Sequence, residues 1–127
     1  MPAELEPLEA AVLDKLLAGT HPVLAALRAQ LAGATVKHRT HTGVGFFTDF
    51  APAQDAIPAP VRTLRFGDVR ATIEGLQHGA DFVLFVEDGL LVTLEGFSCD
   101  EPWPAEIVVV AVGYWDPARP DLETKLR

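Results

Sequence analysis

A chain of 127 residues is long enough for one domain with one core, and 49% hydrophobic with 22% charged residues is an ordinary globular balance. The formal net charge of −8 argues against a nucleic-acid or anionic-membrane ligand, since phosphate surfaces favour clustered Lys and Arg. A single cysteine, Cys99, allows no internal disulfide and fits a reducing, cytoplasmic setting.

The opening residues, Met-Pro-Ala-Glu-Leu-Glu-Pro, carry no basic segment, so no secretory leader is expected. No apolar run approaches the ~20 residues a membrane span needs. The first third then reads as two helices, over about 7–32. Leu8, Val12 and Leu16 recur at helical spacing, with Leu13 and Leu17 beside them. Pro7 suits the first turn and Gly19 the stop. Thr20 is the expected cap of the second helix, which has Pro22 early, a stripe of Leu24, Leu27 and Leu31, and Gly33 at its end. Both helices are short and need an apolar surface to lie on.

From about 35 to 113 the chain is β-like. Val36–His41 and Val44–Phe50 are candidate strands, and Thr40–Gly43 is either a turn or a bulge. Pro52, Pro58 and Pro60 make Ala51–Pro60 a loop. Thr63–Phe66 and Val69–Leu76 read as strand, one strand bent at Gly67-Asp68. Phe82–Phe97 is a hairpin closed at Asp88-Gly89, because a type I′ turn needs positive φ at both central residues. Ile107–Gly113 is apolar on both faces and is expected inside the sheet. A polar tail follows over 116–127 and is expected to fray. The expectation is a single α+β domain over 1–127, with two N-terminal helices packed on one face of a largely antiparallel sheet of about five strands.

The two-residue turn sets a register in which Glu87 faces Leu90, Val86 faces Leu91 and Phe85 faces Val92. If Leu76 pairs with Phe82, then Ala71, Ile73, Val83, Phe85, Val92 and Leu94 share one uncharged face, taken as the core. The opposite face then carries Arg70, Thr72, Glu74, Leu76, Phe82, Leu84, Val86, Leu91, Thr93, Glu95 and Phe97. Two carboxylates among apolar groups imply partial cover, by a second copy of the chain, by the Pro-rich loop or by a ligand.

Several residues are candidates for binding. Glu74 and Glu95 share the mixed face about 10–12 Å apart at the backbone, with Phe82 between them to raise a pKa by desolvation. Arg39 and His41 are possible supports. Trp103, between Pro102 and Pro104, is a rigid loop aromatic that either anchors a partner or plugs the end of the core. His38 and His41 fall on opposite faces of a straight strand, and no metal ligand set is expected. Gly43-Val44-Gly45 lacks the Lys-Ser/Thr of a phosphate loop and is read as permitting close approach. Cys99 beside Asp100 and Glu101 is a poor nucleophile. No catalytic residue and no cofactor are assigned.

The segments Gly43-Val44-Gly45-Phe46-Phe47-Thr48-x-Phe50 and Phe82-Val83-Leu84-Phe85-x-x-Asp88-Gly89-x-Leu91-x-x-Leu94-Glu95-Gly96-Phe97-Ser98 carry a resemblance. The chain resembles small bacterial proteins with a similar G-x-G-F-[FY]-T segment and a D-G…L-E-G-[FY] hairpin, some of which look immunity-type or accessory. The likeness covers about the C-terminal two thirds. It implies a bacterial cytosolic protein and names no catalytic residues. The expectation for function is a non-enzymatic interaction or accessory module, homodimeric, with a possible protein partner. The alternative is a small hydrolase or ligand-binding enzyme using Glu74 and Glu95.

Overall fold

The computed structural model describes residues 4–126; Met1–Ala3 of the N-terminus and Arg127 of the tail lie outside the described residues. Helices α1 (Pro7–Leu16) and α2 (Pro22–Gly33) both begin on a proline, whose missing N–H costs nothing in the first turn. The cap of α2 is His21, not Thr20: the Val23 N–H donates to His21 Nδ1 at 3.1 Å. Gly19 links the helices at φ +130, where a Cβ would stand 2.9 Å from Leu24. The expected stripes are buried. Val12, Leu13, Leu16 and Leu27 have no exposed surface, and each contributes roughly 1.5–3 kcal/mol on burial.

Seven strands follow, rather than about five: β1 (Thr35–His41), β2 (Gly45–Ala51), β3 (Thr63–Phe66), β4 (Val69–Ile73), β5 (Ala80–Glu87), β6 (Leu90–Ser98) and β7 (Val109–Tyr114). Their order is β1-β2-β6-β5-β4-β7, with β3 also on β5, and every pairing is antiparallel. Strands β3 and β4 are the two halves of the expected bent strand. Between the pairs Phe66↔Leu84 and Arg70↔Asp81 the chain gains one residue at Gly67-Asp68. Gly67 is required there, since a Cβ would lie 1.9 Å from the Phe82 carbonyl oxygen.

The hairpin closes as expected. Asp88 and Gly89 have φ of 52 and 74, and Glu87↔Leu90 and Val86↔Leu91 pair. Beyond them Val92 is bulged, so Phe85 faces Thr93 and Val83 faces Glu95. This lets Leu91 and Leu94, three apart, both point inward.

The expected core face is corrected. Strands β4 and β5 pair at Ala71↔Ala80, not Leu76↔Phe82, and Leu76 lies in the turn between them. The offset is odd, so β5 turns its other side inward. The core is built on Phe82, Leu84 and Val86 with Phe46, Phe50, Ala71 and Ile73, while Val83, Phe85 and Val92 face outward, half-buried. All three helices contribute to the inner cluster, so none lies over the outer face.

Strand β7 is also corrected. It is an edge strand paired only with β4, and Val110 is 64% exposed. Its inner side chains pack towards α1, and a bulge accommodates Val110. The polar tail does not simply fray, for it holds α3 (Pro120–Lys125). The Arg119 side chain donates from Nε to Asp68 Oδ2 at 2.5 Å and from Nη2 to Oδ1 at 3.0 Å, and its guanidinium also caps the Leu16 and Ala18 carbonyls. The end of α1 is thereby tied to β4 and the tail.

The Pro-rich loop covers the hairpin tip. Ala59 N–H donates to the Gly89 carbonyl at 2.8 Å. Buried Gln30 donates to the Ile57 and Gly89 carbonyls and accepts from the Leu91 N–H.

Candidate binding cleft

One end of the sheet gathers the end of β1, the start of β2, the end of β6 and the start of β7. The segment 99–108 crosses this end and is held at both sides. Ser98 Oγ accepts the Glu101 N–H at 3.2 Å. The Glu101 carboxylate accepts the Gln77 and His78 N–H groups at 2.6 and 2.9 Å, and those two bonds hold it below the usual carboxylate range. The Trp103 N–H donates to the Gly43 carbonyl at 2.8 Å.

The glycines of this end set the aromatic floor. A Cβ on Gly45 would fall 1.9 Å from the Gly96 carbonyl oxygen, and one on Gly96 would fall 2.5 Å from the Phe46 ring. Without side chains, β2 closes tightly on β6 and Phe46 lies over Gly96. Trp103 then meets Phe46 edge-on, with centroids 5.7 Å apart at 66°. Gly45 thus permits the close approach expected of the Gly-x-Gly segment, whereas Gly43 has open space around it and takes the positive φ of +90 in the turn.

Between this floor and the first turn of α1 lies an open cleft of about 480 Å³. Leu8, Phe46, Trp103, Ile107 and Val109 form its apolar walls, and Glu6, Arg39, His41 and Glu106 are its polar lining. Residues from both outer strands of the sheet, β1 and β7, reach it, so the sheet curls round α1.

The innermost polar group is Glu9, 2% exposed on α1. Its carboxylate accepts from Arg39 Nη2 at 2.6 Å and Nε at 3.1 Å, from the Glu6 N–H at 2.8 Å, and from the Thr48 hydroxyl. The register makes this possible, because Arg39 pairs with Thr48 and both point to the inner face. Hydrogen bonding to Glu9 raises Arg39 above its ordinary value, against the opposing effect of burial. The pair is a closed structural unit. Four donors occupy the acceptor positions of the Glu9 carboxylate.

The structure brings together Arg39, His41 and Trp103 and separates the other sequence candidates from them. Phe82 has no exposed surface and belongs to the core. Glu95 sits on the outer face between Phe47 and Val83, and burial raises its carboxyl above the ordinary value. Glu74 is exposed past the end of β4, its N–H donating to the Val108 carbonyl at 2.9 Å. The strand register places it roughly 20 Å from Glu95, well beyond the ~5–9.5 Å of a paired acid and base. Glu74 and Glu95 therefore do not form one site. Glu6, Glu106, Ile107 and Val109 complete the cleft and were not singled out from sequence. Only the curl of the sheet joins residue 6 to residue 107.

Among the described residues, no group of three or more His, Cys, Asp or Glu is arranged to hold a metal ion. No helix of the described residues is long and apolar enough to cross a membrane. Compared with protein-family models, with curated proteins and with solved structures, the chain matches none of them.

Proposed function

We propose that the protein is a non-enzymatic interaction module, and that the cleft between α1 and Trp103 is where it grips its partner. The observation that carries this reading is an open, apolar-walled cleft whose one buried ion pair is already saturated. Such a site can bind, and its buried carboxylate is engaged in holding α1 to the sheet. An apolar centre around a rigid aromatic with charged residues at its margin is how interaction surfaces are built. An accessory or immunity-type role belongs to the same reading.

The test is comparative capture. The wild-type chain, Trp103→Ala, Ile107→Asp and the outer-face variant Phe85→Ala are each used to retrieve binding proteins from the source organism. The expected result is a defined partner held by wild type and Phe85→Ala and lost by both cleft variants. Retention of the same partner by the cleft variants refutes the assignment.

The outer face supports a second contact. Phe47, Val83, Phe85 and Val92 are half-buried on a sheet face with no helix over it. Self-association through this face makes the protein a homodimer. Sedimentation at micromolar concentration tests it. A dimer that Phe85→Lys dissociates is the expected result, and a 13.7 kDa monomer for wild type contradicts it.

A further inference from the structure

We infer that the cleft takes a cationic side chain, lysine or arginine, carried on an apolar stretch of a partner polypeptide. The inference rests on the interaction reading and adds the chemistry of what is bound.

The charge balance of the cleft comes first. Its lining holds three carboxylates, on Glu6, Glu9 and Glu106, against one guanidinium, on Arg39, and one imidazole, on His41. That guanidinium is committed to Glu9, which is 2% exposed and accepts from it twice. Glu6 is left 65% exposed with only a 4.0 Å approach to Arg39 Nη1, and Glu106 is exposed. The free charge at the mouth is therefore negative. An anionic ligand would meet two carboxylates and the field of a chain carrying −8. A cation meets attraction from both.

The aromatic floor points the same way. Three aromatic rings elsewhere in the chain already carry a cation. Arg70 lies 4.1 Å from the centroid of Trp115, Arg119 lies 4.5 Å from Tyr114, and Arg65 lies 5.3 Å from Phe85. Among the described residues, Trp103 has no such cation, although it is half-buried and lines a cleft with carboxylates at its mouth. A lysine or arginine entering from a partner meets this ring beside the two carboxylates, the arrangement a cation–π contact needs. Leu8, Ile107 and Val109 accept its methylene stem and the apolar residues beside it, while the charged head stays near Glu6 and Glu106. The volume of about 480 Å³ is within the roughly 300–1,000 Å³ of ordinary ligand sites.

The test uses the full chain, ¹⁵N-labelled, so that each tryptophan indole reports separately. The probe is an acetylated, amidated octapeptide of alternating Val and Lys. Its counterpart has Glu in place of Lys. The Val-Lys peptide is expected to shift the Trp103 indole N–H in a saturable way and to leave Trp115 in place. The Val-Glu peptide is expected to do nothing. Glu6→Gln with Glu106→Gln should weaken the Val-Lys peptide about three- to tenfold at low salt, as two exposed charge pairs allow. The distant substitutions Asp55→Asn and Glu87→Gln should not weaken it. Absence of binding by the Val-Lys peptide overturns the inference, as does equal binding of the Val-Glu peptide or a shift spread over the acidic surface. Loss of partner capture in Trp103→Ala despite no peptide binding would leave the interaction reading standing and remove only the cationic ligand.

Discussion

Replacing Arg39 by Met tests the buried pair that forms the inner wall of the cleft. Glu9 is 2% exposed and would lose two of its acceptor contacts, keeping only the Glu6 N–H and the Thr48 hydroxyl. Removing one partner of a buried pair costs about 3–5 kcal/mol, because the other charge stays desolvated. The Arg39 side chain is itself 23% exposed, so water reaches part of the gap and the lower end, about 3 kcal/mol, applies. For a chain of 127 residues that corresponds to a fall in Tm of about 10–15 °C. Urea unfolding followed by far-ultraviolet circular dichroism measures it, with the m-value checked for constancy. The double variant Arg39→Met with Glu9→Leu removes both charges and should recover most of the loss. A loss under about 1 kcal/mol, or a double variant no more stable than the single, would refute the reasoning.

Gln30→Leu leaves the Leu91 N–H and the Ile57 carbonyl without their buried partner, a loss of about 3 kcal/mol, seen also as faster hydrogen exchange at Leu91. Gly45→Ala forces a Cβ against the Gly96 carbonyl and should cost at least about 3 kcal/mol in urea unfolding. Asp68→Asn unbalances the mostly buried Arg119 charge by about 3 kcal/mol and should open the segment around α3 to limited proteolysis. Glu95 has a folded pKa above its ordinary value, so the folded state holds the proton more tightly than the unfolded one. Stability from this group therefore falls as pH rises from the ordinary glutamate value through the raised one. Glu95→Gln should be more stable than wild type at pH 7 and lose that advantage below the ordinary glutamate range, read by unfolding at a series of pH values.

The turn at Asp88-Gly89 was legible because few residues tolerate positive φ at two successive positions. The facing of the sheet was not. From Phe82 to Val86 every residue is apolar, so either parity yields a credible core. The deciding element is the turn between β4 and β5, where Gly75 and Gly79 adopt φ of 92 and 70 and end β4 at Ile73, ahead of Leu76. The bulge at Val92 carried no glycine to announce it. The edge position of β7 was hidden by composition: its apolar inner side packs towards α1, while Val110 on its outer side is simply exposed. In the tail, six helical residues with one buried leucine give too little pattern to read as a helix.

The candidate site was legible in pieces. In sequence, Arg39 and His41 read as supports of the Glu74 and Glu95 pair and Trp103 as a rigid loop aromatic, and the cleft that joins them depends on Phe46 lying over Gly96. The pair Glu74 and Glu95 drew attention by alternation alone, and alternation fixes a side of the sheet without fixing a distance along it. Glu9 gave no sign of burial, because a glutamate in a first helical turn is ordinarily solvated there.

The central claim is that the cleft floored by Trp103 is the working surface, and the two tryptophans allow it to be measured directly. The ¹⁵N indole spectrum of the labelled chain is recorded alone and in cleared extract of the source organism. Trp103 lines the cleft, whereas Trp115 is 56% exposed at the far end of β7. The expected result is that the Trp103 signal shifts or broadens while Trp115 keeps its position apart from uniform slowing. A Trp103 signal that stays in place while Trp115 moves would contradict the claim.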